Sequence, residues 1–332
     1  MATTLAEIRA RLKAQENKTS ATNATFDNGI YPHWNIAEGK VAALRFLPDA
    51  DPKNDYFWLE RQVIKLPFAG IKGDASSKPL TIQVPCIEMY GKEFSCPILA
   101  EVRPWFKAKD PSLDEMGRKY WKKRSYLFQG FVREDPIGEK DVPENPIRRF
   151  IISPSIFTIV KSAILDPELE ELPTDYQRGL DFKVIKTAKS GGTYADYSTS
   201  NWARKETALT EAELEAIEKF GLFNLADFLP KRPGDVELKV MLDMFHASVD
   251  GEPYDLEKWG SYYKPYGLKT TDAATTDDVD VADEVPAEPV KPTKAPKAKV
   301  EDKDDVSDAK STGGDRAQAI LAAIRNRGKN KE

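Results

Sequence analysis

Residues 121–132 read Trp121-Lys122-Lys123-Arg124-Ser125-Tyr126-Leu127-Phe128-Gln129-Gly130-Phe131-Val132. Tyr126, Phe128 and Val132 share one parity and Leu127 and Phe131 the other, so 125–132 predicts a strand with these side chains on two opposite faces. Working outward, Val41–Leu47 is an apolar run stopped by Pro48, and 57–66 is rich in aromatic and β-branched residues. Both read as strands, with loop signals filling 67–79. Segments 150–152 and 182–187 are further strand candidates.

Helices interrupt this β pattern. Ser153 before Pro154 reads as an N-cap with proline in the first turn, followed by Ile156, Ile159, Val160 and Ile164 as a buried stripe. Thr210 with Glu213 predicts a capping box that opens a helix carrying Leu214 and Ile217. Residues 236–248 read as a third helix, with Leu238, Met241, Leu242 and Phe245 inward. Short, unevenly spaced strands with a few helices predict an α+β domain around a small barrel.

The termini read differently. Residues 3–16 predict a short helix, with Thr4 and Glu7 as a capping pair and Leu5, Ile8 and Leu12 on one face. Residues 17–30 are polar and loop-like, and folded character begins near Tyr31 and Trp34. Residues 271–308 hold twelve acids, five lysines and no aromatic residue. Such a composition buries too little area to offset its ordering entropy and predicts a disordered acidic linker. After Gly313 and Gly314, Asp315 caps a last basic helix with Ala317, Ile320, Leu321 and Ile324 in one stripe. The expected organisation is an N-terminal arm (1–30), a folded core (31–268) with an inserted subdomain at about 67–120, an acidic linker (269–314) and a terminal helix (315–332).

Composition excludes several classes. Of 332 residues, two are cysteine and two histidine, too few for a disulfide scaffold or a zinc site built from four such ligands. No apolar run approaches the roughly 18 residues of a membrane span and no signal-peptide pattern opens the chain, so a soluble protein of a reducing compartment, the cytoplasm, is expected. His33 and His246 belong to no recognisable motif, and Lys189-Ser190-Gly191-Gly192 lacks the spacing of a phosphate-binding loop. No catalytic constellation is visible and no cofactor is expected.

Charge is more informative. The net charge of −5 hides a stretch, residues 118–133, with Arg118, Lys119, Lys122, Lys123, Arg124 and Arg133 and no acid. A bare charge run is usually a solvated face, but here aromatic residues interleave. Lysine and arginine neutralise phosphates without reading sequence, and aromatic faces stack on unpaired bases. A duplex hides those faces, so single strands are the expected ligand. Arg118, Lys119, Lys122, Lys123 and Arg124 would hold phosphates, with Arg148 and Arg149 as secondary candidates. Trp121, Tyr126, Tyr194 and Tyr197 would stack on bases. The bland alternative places these aromatics in the core, above all Tyr126 on its strand. Small or polar neighbours predict solvent access for Trp121, Tyr194 and Tyr197.

Four stretches, in order, give the chain a resemblance to the single-stranded DNA-binding (helix-destabilising) proteins of T-even-like bacteriophages. They are Val41-Ala42-Ala43-Leu44-Arg45-Phe46-Leu47-Pro48; Cys86 with Ser95-Cys96-Pro97; Lys122-Lys123-Arg124-Ser125-Tyr126 running into Phe131-Val132-Arg133-Glu134-Asp135-Pro136; and Phe182-Lys183-Val184-Ile185-Lys186 leading to Tyr194 and Tyr197. The resemblance spans roughly residues 1–250. It implies an OB-fold core with a basic, aromatic cleft, cooperative binding, and roles in DNA replication, recombination and repair. It also implies an N-terminal arm joining neighbouring protomers, here Leu5, Ile8, Arg9, Arg11, Lys13 and Lys18, and a C-terminal tail recruiting phage replication and recombination proteins.

Three departures matter. The family's zinc subdomain uses three cysteines and a histidine, whereas Leu99 stands where a third cysteine belongs and no histidine closely precedes Cys86. No zinc is therefore expected, and Val84, Ile87, Phe94, Ile98 and Leu99 are expected to pack the subdomain. The arm's basic run is reduced to Lys18-Thr19-Ser20, and the tail ends basic rather than acidic. A rival reading is a non-enzymatic phage adaptor or assembly factor that acts through its terminal helices.

Finally, the chain echoes itself. Leu5-Ala6-Glu7-Ile8-Arg9-Ala10-Arg11 and Leu321-Ala322-Ala323-Ile324-Arg325-Asn326-Arg327 share Leu-Ala-x-Ile-Arg-x-Arg. The bland reading is convergence of two short amphipathic helices; the sharper expectation is that Ile320, Leu321, Ile324, Arg325 and Arg327 belong to a partner-recruiting or self-regulating helix that would occupy the groove of the N-terminal helix.

Overall fold

A computed structural model describes residues 28–139, 142–188 and 195–265. The expected terminal helices, the named arm residues (5–18) and the expected acidic linker lie outside them. The described chain is α+β. Its strands are β1 (Val41–Leu47), β2 (Leu59–Phe68), β3 (Leu80–Pro85), β4 (Lys123–Glu134), β5 (Arg148–Ile152), β6 (Asp181–Ile185), β7 (Thr187–Ala188), β8 (Ala195–Asp196) and β9 (Asn201–Trp202). Its α-helices are α1 (Pro97–Lys107), α2 (Pro111–Tyr120), α3 (Pro154–Ile164), α4 (Glu211–Phe220), α5 (Asp235–Val249) and α6 (Leu256–Trp259).

β4 organises the sheet. It pairs antiparallel with β2 through Lys123–Leu127, with β5 through Tyr126–Gly130, and with β1 through Gln129–Glu134. Tyr126 and Leu127 have partners on both β2 and β5, and Gln129 and Gly130 on both β1 and β5. Two partners of one residue lie on opposite edges. β1 and β2 therefore share the edge opposite β5 and run end to end along it. Leu47 faces Gln129, Leu59 faces Leu127, and Phe128 falls between them. The loop 48–58 leaves the sheet at that gap. β1 continues to β6 and β9, and β2 to β3.

The expected small barrel is not what forms: among the described strands the sheet stays open, its end strands β3 and β9 unpaired with each other. Other expectations also need correcting. β2 runs two residues past 57–66 at its far end and starts two later, because Pro67 sits within the ladder opposite Thr81. β3, α1 and α2 occupy sequence for which no element was anticipated. Ser153 precedes α3, but its hydroxyl meets that of Ser155 rather than a backbone amide.

Strand parity sorts the side chains. Tyr126, Phe128, Phe46, Leu44, Phe150, Ile152 and Phe182 share one face and form a core closed by Ile156 and Val160 of α3. On the same face, beyond Glu60 and Gln62, Ile64, Leu66, Ile82 and Val84 begin a second core. Cys86, Cys96, Leu99, Trp105, Tyr120 and Phe245 complete it under α1, α2 and α5. Val84, Ile87, Ile98 and Leu99 pack there as expected, with Phe94 at its margin. The opposite face carries Leu127 and Ile151, and then Leu47 and Phe131 beneath α4. The two-faced reading of 125–132 thus holds residue by residue. Among the described residues no helix is long and apolar enough to cross a membrane.

Candidate nucleic-acid interface

Between the two cores on one face of the sheet lies a strip of polar side chains. β4 contributes Arg124 and then Tyr126, and β2 contributes Gln62 and Glu60 opposite them. Arg124 is exposed and meets Glu60 at 3.5 Å. Lys122 enters from the end of α2 and donates to Glu88 at 2.9 Å, where Arg103 donates as well. Burial pushes the Glu88 carboxyl up, but these two cations outweigh it and hold the group below its ordinary value. The trio Lys122–Glu88–Arg103 is thus a fixed, once-positive unit rather than a free lysine.

One wall of the strip is aromatic. Tyr56 is 61% exposed and packs on Trp58 with ring centroids 4.9 Å apart. Trp58 meets Phe157 of α3 edge-on at 5.3 Å, and Phe157 lies parallel to Tyr126 at 3.5 Å. The row therefore runs from an open ring at Tyr56 to a buried one beside Arg124. At the other end, Trp121 caps α2 half-buried, edge-on to Phe106 at 5.3 Å. Arg118 and Lys119 are exposed in the last turn of α2, where cations suit the helix dipole.

Several expected ligand contacts are corrected by this geometry. Tyr126 is buried in the core between Ile152 and Phe157, and burial raises its hydroxyl pKa. Tyr197 is buried too, edge-on to His33 at 6.3 Å. Its small neighbours allow the loop to fold inward rather than outward. Arg148 is buried and donates to Glu139 and to the Ile30 carbonyl. Arg149 is buried over the Phe228 ring at 3.8 Å, on the opposite face of the sheet. Lys122 shares the Glu88 carboxylate with Arg103 rather than standing free. Arg133, counted in the basic stretch, sits on the opposite face between Asp181 and Glu213. Lys123 is half-buried on β4, and Tyr194 lies outside the described residues. Of the basic stretch, Arg118, Lys119 and Arg124 remain exposed.

Tyr56, Trp58 and Phe157 were not anticipated. They lie in or beside the loop that leads into β2 and on α3, and Trp58 packs partly on the same core as Phe57, an arrangement that strand alternation does not display.

Cys86 and Cys96 are both buried beneath this region. A hydrogen bond from the Cys86 thiol, aided by amides at Leu99, Ile87 and Ile98, holds the Cys96 thiol below its ordinary pKa against the opposing effect of burial. This donor set does not fit zinc. Leu99 packs in the core, His33 is buried against Trp34 and Tyr197, and His246 is tied to Glu101 at 3.0 Å. Among the described residues no group of three or more His, Cys, Asp or Glu side chains could hold a metal ion.

No protein-family model and no curated protein matches this chain.

Proposed function

We propose that the chain is a sequence-independent single-stranded DNA-binding protein of the helix-destabilising type, with an open, OB-like sheet as its platform. Replication, recombination and repair of phage DNA in the host cytoplasm would be its setting, with cooperative self-association and replication proteins as partners. The observation that carries the reading is the aromatic row from exposed Tyr56 through Trp58 and Phe157, alongside Arg124 on the polar strip. Tyr56 and Trp58 offer ring faces to unpaired bases, each stacked base contributing roughly 1–3 kcal/mol. The Arg124–Glu60 pair is exposed on both sides and worth about 0–1 kcal/mol, so an arriving phosphate displaces the carboxylate at little cost. Arg118 and Lys119 lie at the end of the helix that leads into the strip, placed for the same backbone.

A fluorescent oligonucleotide, single-stranded and then duplex, titrated at two salt concentrations, tests this. Single strands should bind more tightly, and affinity should fall as salt rises. Tyr56→Ala or Trp58→Ala should weaken binding by roughly 1–3 kcal/mol with little change in salt slope. Arg118→Ala with Lys119→Ala should lower the slope by about 1.4 units if both contact phosphate. Equal affinity for duplex, or an unchanged slope in the double variant, refutes the proposed strip.

A further inference from the structure

Beyond the last turn of α3, the chain passes through Leu165-Asp166-Pro167-Glu168-Leu169-Glu170-Glu171-Leu172, with four acids and no base. Leu165 is 70% and Leu172 61% exposed, among the most open large apolar side chains of the described residues. The segment is nonetheless built. The Leu165 amide donates to the Lys161 carbonyl, Leu169 to Asp166, and the Glu168 amide to the Asp166 carboxylate. Arg178 bridges Glu170, Glu171 and Glu206. Asp166 and Glu168 make no ion pair among the described residues. Two water-exposed leucines at the ends of this short segment, with four carboxylates between them in sequence, offer a surface suited to a segment that is both apolar and cationic.

The chain contains such a segment twice, as Leu5-Ala6-Glu7-Ile8-Arg9-Ala10-Arg11 and as Leu321-Ala322-Ala323-Ile324-Arg325-Asn326-Arg327. We infer that the C-terminal copy, residues 320–327, docks on the 165–172 surface of its own chain, and that residues 5–11 compete for the same place. Leu321 and Ile324 cover Leu165 and Leu172, while Arg325 and Arg327 meet Asp166 and Glu168. Charge sorts the tail. The acidic residues 271–308 are repelled by this patch, and only the end beyond them, net +4 over 309–332, is attracted. Reach is ample, because 54 residues separate Pro265 from Ile320, roughly 180 Å when extended. The N-terminal copy carries Glu7 where the C-terminal copy carries Ala323. The C-terminal copy is thus the better match to an acidic surface. Docking of the tail on this surface involves no nucleic acid and is independent of DNA binding.

Two measurements on the full chain test it. A photo-crosslinking side chain at position 318, irradiated in dilute protein, should join the tail to the 161–178 region within one chain. Crosslinks to another region, or only between two chains, overturn the assignment, the latter in favour of a second copy as occupant. A labelled peptide of residues 3–16 should bind the Leu321→Asp/Ile324→Asp chain about tenfold more tightly than the natural chain, as expected when a tethered competitor is removed. Leu165→Asp/Leu172→Asp, at exposed positions and checked by melting, should abolish peptide binding. Equal affinity for the natural and tail-substituted chains, or full affinity in the loop variant, refutes the competition.

Discussion

Arg133 and Arg124 are nine residues apart on one strand and have opposite fates. Arg124 faces the open strip. Arg133 lies on the other face, donating to both Asp181 and Glu213 and to the Ala208 carbonyl, beside a fully buried Arg45 that shares Asp181. Removing Arg133 leaves half-buried Glu213 without its cation and Asp181 with Arg45 alone, so Arg133→Met should cost about 2–3 kcal/mol of stability in a denaturant titration. The DNA binding proposed above, measured at a temperature where the variant is folded, should be unaffected. His33 supplies a second residue-scale test. Burial holds its imidazole neutral and lowers its pKa from 6.5 to about 4, with Lys186 pushing in the same direction. The unfolded chain takes up the proton near pH 6.5 and the folded chain does not. Stability should therefore fall as pH drops through this window, by up to ~1.4 kcal/mol per pH unit. His33→Asn should flatten the dependence between pH 6.5 and 5, and melting curves across that range decide it. Sequence alone counted charges correctly but could not assign them to a face. Tyr126 and Tyr197 show the same limit, because flanking residue size does not say which way a ring turns.

Elements with a local signal were legible in advance. The alternation in β4 set its two faces, and Thr210 with Glu213 marked the start of α4, where both reciprocal bonds are present. Ser153 looked equivalent on paper, yet its hydroxyl caps no amide. The two caps should separate experimentally: Thr210→Ala should cost about 1 kcal/mol and Ser153→Ala distinctly less, both read from chemical denaturation. Equal losses would mean that the reciprocal bonds at α4 contribute little. α1 and α2 escaped notice for a physical reason. α1 contains Pro104, which reads as a breaker, and the two helices open on a Cys-Pro and an Asp-Pro step. Their stability comes from the shared core of Trp105, Leu113, Tyr120 and Phe245, a tertiary cause that no window of sequence displays.

At the scale of the whole molecule, two cores share one face of one sheet, and the polar strip is what remains between them. The resemblance pointed to a barrel because its stretches name strands, whereas closure depends on which edge each strand takes. Gly130 shows how tightly that choice is fixed. A Cβ there would lie 2.0 Å from the Arg45 carbonyl oxygen, backbone against backbone. Gly130→Ala should therefore pry β1 from β4 and cost more than ~3 kcal/mol. A variant that melts like the natural protein would show that the ladder can shift to accommodate the methyl group. The in-line placement of β1 and β2 on β4 also has a mechanical meaning. Each half of the molecule grips its own length of the same strand, so tension between the halves along β4 loads both sets of ladder bonds in shear. They cannot unzip pair by pair. The halves should hold together under load until a whole set gives way at once, as a lap joint does and a hinge does not.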